Sequence, residues 1–295
     1  MICLMKKSIL VVIVTLICSN AFSQGIVFLS NYEKIDLKDK TKFLSFTEIS
    51  IEKVGKDNAI DDIPDEIFFF KNVKEIDFRV SYKADINSIF LKLSKLKKLS
   101  SLTIYGNNFN LSGIFEPEKY ECIITIPDII NDFVNLEKLS LSGHLIKKLP
   151  FKPGKLLKLK HIELFRNKFT EFPKELLYLP ALKLVGLENN YIKSLPKNLC
   201  SAKSLESVYV GRNSLKEIPE CLLKSKKFKE LYFNENFFTN EQVKKYTQIY
   251  KQNNPSGELN FSGQAKLSSY PKIDFTSKII DKLIEIRNRS KKKKK

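Results

Sequence analysis

Residues 159–173 read LKHIELFRNKFTEFP; they are followed in the same frame by LKLVGLENNYIKSLP at 182–196 and LESVYVGRNSLKEIP at 205–219. Seven positions recur in each stretch. They are Leu159, Ile162, Leu164, Asn167, Phe169, Phe172 and Pro173, then Leu182, Val185, Leu187, Asn190, Ile192, Leu195 and Pro196, then Leu205, Val208, Val210, Asn213, Leu215, Ile218 and Pro219. Leu136 opens a further copy upstream, so four copies begin 23 residues apart. A period in this range marks a stack of coils. The alternation Ile162-x-Leu164 is that of a short strand with one face turned inward. One coil cannot bury its own leucines, so the next must cover them at the interstrand spacing of roughly 4.8 Å, producing a parallel sheet along one side. The Asn falls where the chain leaves the strand, and its amide can pair backbone groups left open by the bend. The Leu-Pro pair then begins the return path, because Pro fixes φ and cannot donate to a ladder.

The register continues both ways with lower fidelity. Phe228, Leu231, Phe233, Asn236 and Phe238 form one more coil, which departs from the pattern at Thr239 and Asn240. Upstream, Leu99, Leu102, Ile104, Asn107 and Phe109 match, but the next coil begins 37 residues later; the excess predicts a loop insertion near 113–121 before Ile126-Pro127 resumes the pattern. Val73, Ile76 and Phe78 give another coil. Phe46, Ile49 and Ile51, with Ile60, Ile63 and Pro64, give a degenerate first one, which makes about eight. Asn107, Asn167, Asn190, Asn213 and Asn236 are expected to form a structural ladder, interrupted at Ser81 and His144, which stand where Asn belongs.

Over roughly residues 46 to 240 the chain resembles the leucine-rich repeat family, in its 23-residue Leu-Pro subclass. The resemblance implies an α/β solenoid, a right-handed superhelix with a concave parallel β-sheet, which serves across that family as a scaffold for proteins or other ligands. The expected division is 1–23 signal peptide, 24–45 N-terminal cap, 46–238 solenoid, 239–262 C-terminal cap and 263–295 basic amphipathic tail. Lys6 and Lys7 precede an apolar run from Ile9 to Cys18, and Ala21 and Ser23 place small residues before Gln24, the pattern of an export signal. Acylation at Cys18 is the lesser alternative, since Ile17 is bulky. The first cap is expected to use Ile26–Leu29 as a strand. Thr239 and Gln242 have capping-box spacing, and Val243, Tyr246, Ile249 and Tyr250 recur at helical spacing, so a capping helix is expected over 240–251, with an edge strand over 258–261. In the tail, Ile279, Ile280, Leu283, Ile284 and Ile286 interleave with Lys282, Arg287 and Arg289 ahead of Lys291–Lys295. Residues 278–295 either meet an anionic membrane surface or pack and lie solvated.

Removing Lys6 and Lys7 with the signal lowers the net charge from +18 to +16. Cys122, Cys200 and Cys221 would remain, an odd number that leaves a thiol free. Cys200 and Cys221 are two residues out of register on neighbouring outer walls; small buried apolar residues are expected there, and a bridge is the lesser alternative. The repeat sorts side chains around each strand onto the concave face, where seven acidic and two basic residues fall, against the sign of the whole chain. The excess lysine, Lys147, Lys174, Lys203 and Lys227 among it, is therefore expected as solvated charge on the outer wall and turns. Candidate partner-binding residues on the concave face are Tyr105, Phe165, Leu184, Tyr209 and Tyr232 as apolar anchors, with Glu163 and Glu188 beside them. Tyr209 and Tyr232 share a column and are expected side by side. The bland alternative is that sheet surfaces favour Tyr in any case.

His144 and His161 lie in different columns with no third ligand in view, so no metal site is expected and no cofactor. The sequence carries none of the nucleophile-elbow, P-loop, zincin or dinucleotide motifs. The expectation is an exported, non-catalytic protein-binding scaffold, a monomer with a protein partner and not a nucleic-acid partner; the alternative is an adhesin-like envelope protein held at an anionic membrane by its tail.

Overall fold

In a computed structural model, residues 26–30, 33–36, 38, 43–53, 59–106 and 123–264 are described. Asn107, the expected loop insertion, the expected export signal and the tail of 265–295 lie outside them. Each repeat places a strand where the apolar alternation falls: β1 Ile26–Ser30, β2 Glu33–Lys34, β3 Glu48–Lys53, β4 Ala59–Ile60, β5 Glu75–Val80, β6 Ser101–Tyr105, β7 Lys138–Ser140, β8 His161–Glu163, β9 Leu184–Gly186, β10 Ser207–Tyr209, β11 Glu230–Tyr232 and β12 Glu258–Asn260. They form one sheet in the order β12-β11-β10-β9-β8-β7-β6-β5-β3-β1-β2, with β4 paired to β5 beside this path. From β3 onward every pairing is parallel and keeps the repeat register: Leu139 opposes Ile162, Ile162 opposes Val185, Val185 opposes Val208, and Val208 opposes Leu231. Only β1 and β2 run antiparallel, β1 pairing with β3 and β2 with β1.

The inward positions form one continuous apolar core from Ile35 to Tyr250. Leu159, Ile162, Leu164, Val185 and Leu187 are wholly buried. On the return path Pro64, Pro127 and Pro173 lead into 3-10 turns at Asp65–Phe69, Asp128–Asp132 and Lys174–Tyr178, and Pro219 leads into a short helix. The missing N–H of Pro costs nothing at a helix start, where it would lack a partner anyway. Helices are α1 Ile86–Leu93, α2 Glu220–Lys224 and α3 Asn240–Asn253. α1 replaces Pro with Asp85, whose carboxylate accepts from Ser88 N at 3.3 Å. In α3, Thr239 and Gln242 cap each other's backbone N–H at 3.1 and 2.9 Å. The helix runs two residues past the expected 251. Its Tyr250 is wholly buried and donates its hydroxyl to the carbonyls of Phe228 at 2.9 Å and Lys229 at 3.0 Å.

The Asn ladder is interleaved between coils. Asn190 Oδ1 accepts from Phe169 N at 3.1 Å, and its Nδ2 donates to the carbonyls of Leu164 and Leu187 at 3.0 and 2.9 Å; Asn167, Asn213 and Asn236 repeat the pattern. His144 does not interrupt it, contrary to the expectation from sequence. It is wholly buried, its Nδ1 lies 3.0 Å from Ile123 N, and its Nε2 lies 2.8 Å from Ile104 O. A backbone N–H can only donate, so Nδ1 is the acceptor and the proton sits on Nε2, facing the carbonyl. The imidazole thereby does the work of the amide. Before each ladder residue the chain turns through positive φ, at Gly143, Arg166, Asn189, Arg212 and Glu235, a repeated left-handed step that turns the backbone off the strand.

Two further expectations are corrected. Cys200 and Cys221 are joined by a disulfide, with Cα atoms 6.2 Å apart. The two-residue offset is absorbed because one cysteine lies in the 3-10 turn Leu199–Ser201 and the other in α2, whose rise per residue differs. Lys227 is not solvated charge: its ammonium donates to the carbonyls of Cys200 at 2.8 Å and Ala202 at 2.5 Å and lies 4.9 Å from the Phe228 ring centroid. Burial pushes its pKa down.

Candidate binding face

Strand alternation and parallel register put the outward side chains in columns. Tyr209 opposes Tyr232 on one side and Gly186 on the other, and the two tyrosine rings meet edge to face with centroids 4.7 Å apart. Their hydroxyls are engaged by the next strand. Tyr209 donates to Glu230, which also accepts from Ser207 Oγ at 2.9 Å. Burial, then this carboxylate, raises the Tyr209 pKa; a hydrogen bond to Glu258, then burial, pushes Tyr232 up to about 12. Both phenols therefore stay neutral donors to carboxylates.

A second group lies where the strands end. Tyr105, Phe165 and Glu188 line a hollow of about 410 Å³ together with Arg79, Arg212 and Asn234. Arg79 stands over the Tyr105 ring at 5.6 Å. Phe165 lies across Gly186 of the next coil, where a Cβ would come within 2.2 Å of its ring, so the absence of a side chain there makes room for the aromatic. Burial raises the Glu188 pKa; Arg212 opposes this and Glu163 adds to it. Arg212 itself pairs with Glu235 at 2.7 Å. Leu184 and Glu163 are half-buried and belong to neither group: Leu184 stands at the start of β9 opposite Ser207, and Glu163 opposes Gly186 and lies 3.8 Å from Lys138. The other predicted residues thus form two clusters, one phenol and carboxylate, one aromatic and guanidinium. Arg79 is one of the two basic residues that the repeat places on the concave face; Arg166 and Arg212, which also line the hollow, were missed because they fall outside the outward triplets, and the signal was their placement one residue before a ladder Asn. A larger hollow, about 990 Å³, lies on the outer wall across Phe172, Pro196, Lys197 and Pro219, away from the sheet. It lies between successive return segments and holds none of the outward strand residues. Among the described residues there is no cluster of three or more His, Cys, Asp or Glu with metal-holding geometry, and no helix is long and apolar enough to cross a membrane.

No family model matches the chain, and no curated protein is significantly similar to it. Its fold is similar to that of a leucine-rich repeat protein of Leptospira interrogans, with TM-score 0.56 and 23% identity over 77% of this chain and 51% of that one. The chain therefore spans about half that protein's length. Internalin C2 of Listeria monocytogenes aligns with TM-score 0.49 and 17% identity over 72% of this chain and 80% of that one. The fold is a leucine-rich repeat solenoid, as the first of these, the parallel register and the Asn ladder agree.

Proposed function

We propose that this chain is an exported, non-catalytic scaffold that holds a protein partner against the open face of its sheet. The observation that carries the reading is the paired Tyr209 and Tyr232, two large amphipathic rings fixed by carboxylates near the C-terminal end of a column of outward side chains. Rings held in place lose little entropy on binding, which suits them as anchors. The Cys200–Cys221 bridge supports export, because such bonds persist in oxidising compartments. In this reading 1–23 is the signal, 24–45 and 239–262 close the ends of the stack, and a monomer presents the face. The test is capture from the native envelope and secreted fractions by the wild-type chain and by a Tyr209→Ala/Tyr232→Ala variant of matched stability. Recovery of the specific partner is expected to fall at least tenfold, since truncating an interface anchor costs roughly 2 kcal/mol or more. Equal recovery would remove the open face from consideration.

A further inference from the structure

Each coil enters its strand through a tight turn, and the turn tips form a row along the edge of the sheet where the strands begin. In six consecutive coils the first recurring apolar residue donates its N–H back three residues, from Val73 to Phe70 at 3.2 Å through Leu159 to Leu156 at 3.0 Å to Leu205 to Ala202 at 3.4 Å. The second residue of such a turn points away from the chain reversal into solvent. Those tips are Lys71, Lys97, Val134, Leu157, Pro180 and Lys203, all exposed, and Lys226 continues the row. The row is pinned: Asn135 Nδ2 donates to the Lys97 carbonyl at 2.8 Å and Ser204 Oγ to the Pro180 carbonyl at 2.7 Å, each turn tied to the tip before it.

Turn tips favour Gly, Pro, Asn, Asp and Ser, each for a backbone reason that Val and Leu do not meet. Val134 and Leu157 are nonetheless 57% and 54% exposed in adjacent coils, and Tyr178, 62% exposed, precedes Pro180 by two residues. At roughly 4.8 Å per coil the three apolar tips span about 10 Å, with lysine tips on both sides. The surroundings have one sign. At the positions four, two and one before and one after the first recurring apolar residue, in the seven coils from Val73 to Phe228, lysine outnumbers carboxylate fourteen to three, and of the fourteen Lys227 is turned onto the carbonyls of Cys200 and Ala202. Of those three, Glu137 and Glu206 pair with Lys160 and Lys229 of the same set, at 2.6 and 2.5 Å, and Lys224 pairs with Glu220 at 3.0 Å; Asp132 is exposed. This edge is therefore basic while the open face is acidic.

We propose that this edge docks on an anionic lipid bilayer, the lysines meeting headgroup phosphates and the apolar tips entering the interface between them. Apolar side chains protruding from a basic, pinned row match a surface that is charged outside and hydrocarbon beneath. A soluble polyanion would use the lysines and leave Val134, Leu157 and Tyr178 without a role. Docking by the edge leaves the open face accessible, so it stands apart from the partner-binding reading.

The full chain contains no tryptophan, so Leu157→Trp supplies a single reporter on the row and Lys193→Trp a control on the outer wall. On vesicles of phosphatidylglycerol and phosphatidylcholine the first is expected to shift its emission to the blue and be quenched by brominated lipid; the second is expected to do neither, and neither should respond to phosphatidylcholine alone. A Lys97→Gln/Lys203→Gln/Lys226→Gln variant is expected to bind the anionic vesicles about a hundredfold more weakly, from roughly fivefold per lysine near a charged surface. Vesicle binding with an unmoved Leu157→Trp reporter would assign attachment to the basic tail and overturn the proposal. An equal shift at both reporters, no binding at all, or loss in the triple variant of binding to soluble polyphosphate but not to vesicles would overturn it as well.

Discussion

Replacing Asn213 by Ala tests whether the ladder works as an interleaved structure. Asn213 is 2% exposed; its Oδ1 accepts from Ile192 N at 2.9 Å, and its Nδ2 donates to the carbonyls of Leu187 at 2.9 Å, Val210 at 3.1 Å and Gly211 at 3.1 Å. The two sides of the amide are not equivalent. Leu187 O also accepts from Asn190, and Val210 O from Asn236, so these carbonyls keep a partner when Asn213 is truncated. Ile192 N–H has no such duplicate and is left buried and unpaired, at roughly 1–3 kcal/mol; weakening of the shared acceptors adds about 1 kcal/mol, for a total of about 2–4 kcal/mol. Urea unfolding followed by circular dichroism, with the slope compared between variants, measures it. Asn213→Asp sharpens the test. It keeps the acceptor for Ile192 but turns a carboxylate toward three carbonyls, so at neutral pH it should be the worse variant and should recover in acid as the carboxyl gains a proton to donate. A loss below about 1 kcal/mol for Ala, or an Asp variant milder than Ala at neutral pH, would refute the division of labour between the two ends of the amide.

Three further outcomes are expected. Gly186→Ala should cost about 1–3 kcal/mol by forcing the Phe165 ring off the sheet, and Phe165→Ala in the same chain should recover most of it, read as a double-mutant cycle; additive losses would mean the ring is not the obstacle. Cys200→Ser/Cys221→Ser should lower stability by roughly 3 kcal/mol, and alkylation of the unfolded, unreduced wild type followed by mass spectrometry should leave these two cysteines unlabelled, labelling of either being the contrary result. Asp77, with its pKa raised from 3.8 chiefly by burial, against the hydrogen bond from Ser50 and with Glu48 adding to the shift, favours the folded state most when protonated. Its contribution is complete below 3.8 and is lost as the pH rises through the higher folded value. Asp77→Asn should therefore gain on the wild type in thermal stability as pH rises across that window, and a constant difference at all pH values would contradict it.

Most strands were legible because their signal is local and repeated, whereas the two-residue β2 and β4 carry no such signal and were not expected. A 23-residue phrase that fixes seven positions leaves no other register in which Leu159, Ile162 and Leu164 are covered, and every outward triplet from Glu48 to Asn234 follows from it. The column holding Tyr209 and Tyr232 follows in the same way, and so do the capping pair Thr239 and Gln242 and the helix behind it. Which outward residues group together was legible only in part, because a column says which coils are neighbours but not which way a ring leans. Phe165 covers Gly186 and joins Tyr105 and Arg79 at one hollow, while the tyrosines turn to Glu230 and Glu258.

The sequence by itself determined the period, the parallel pairing and the sorting of charge onto faces, because each depends on burial of residues a fixed number of steps apart. The tertiary structure decided the rest. His144 replaces an amide because its two nitrogens reach Ile123 and Ile104, the latter 40 residues away. Cys200 reaches Cys221 because a 3-10 turn and an α-helical turn advance differently along the wall. The variable residues at the turn tips become one basic and apolar edge because the coils stack in register, and stacking is a relation between coils that no single repeat contains.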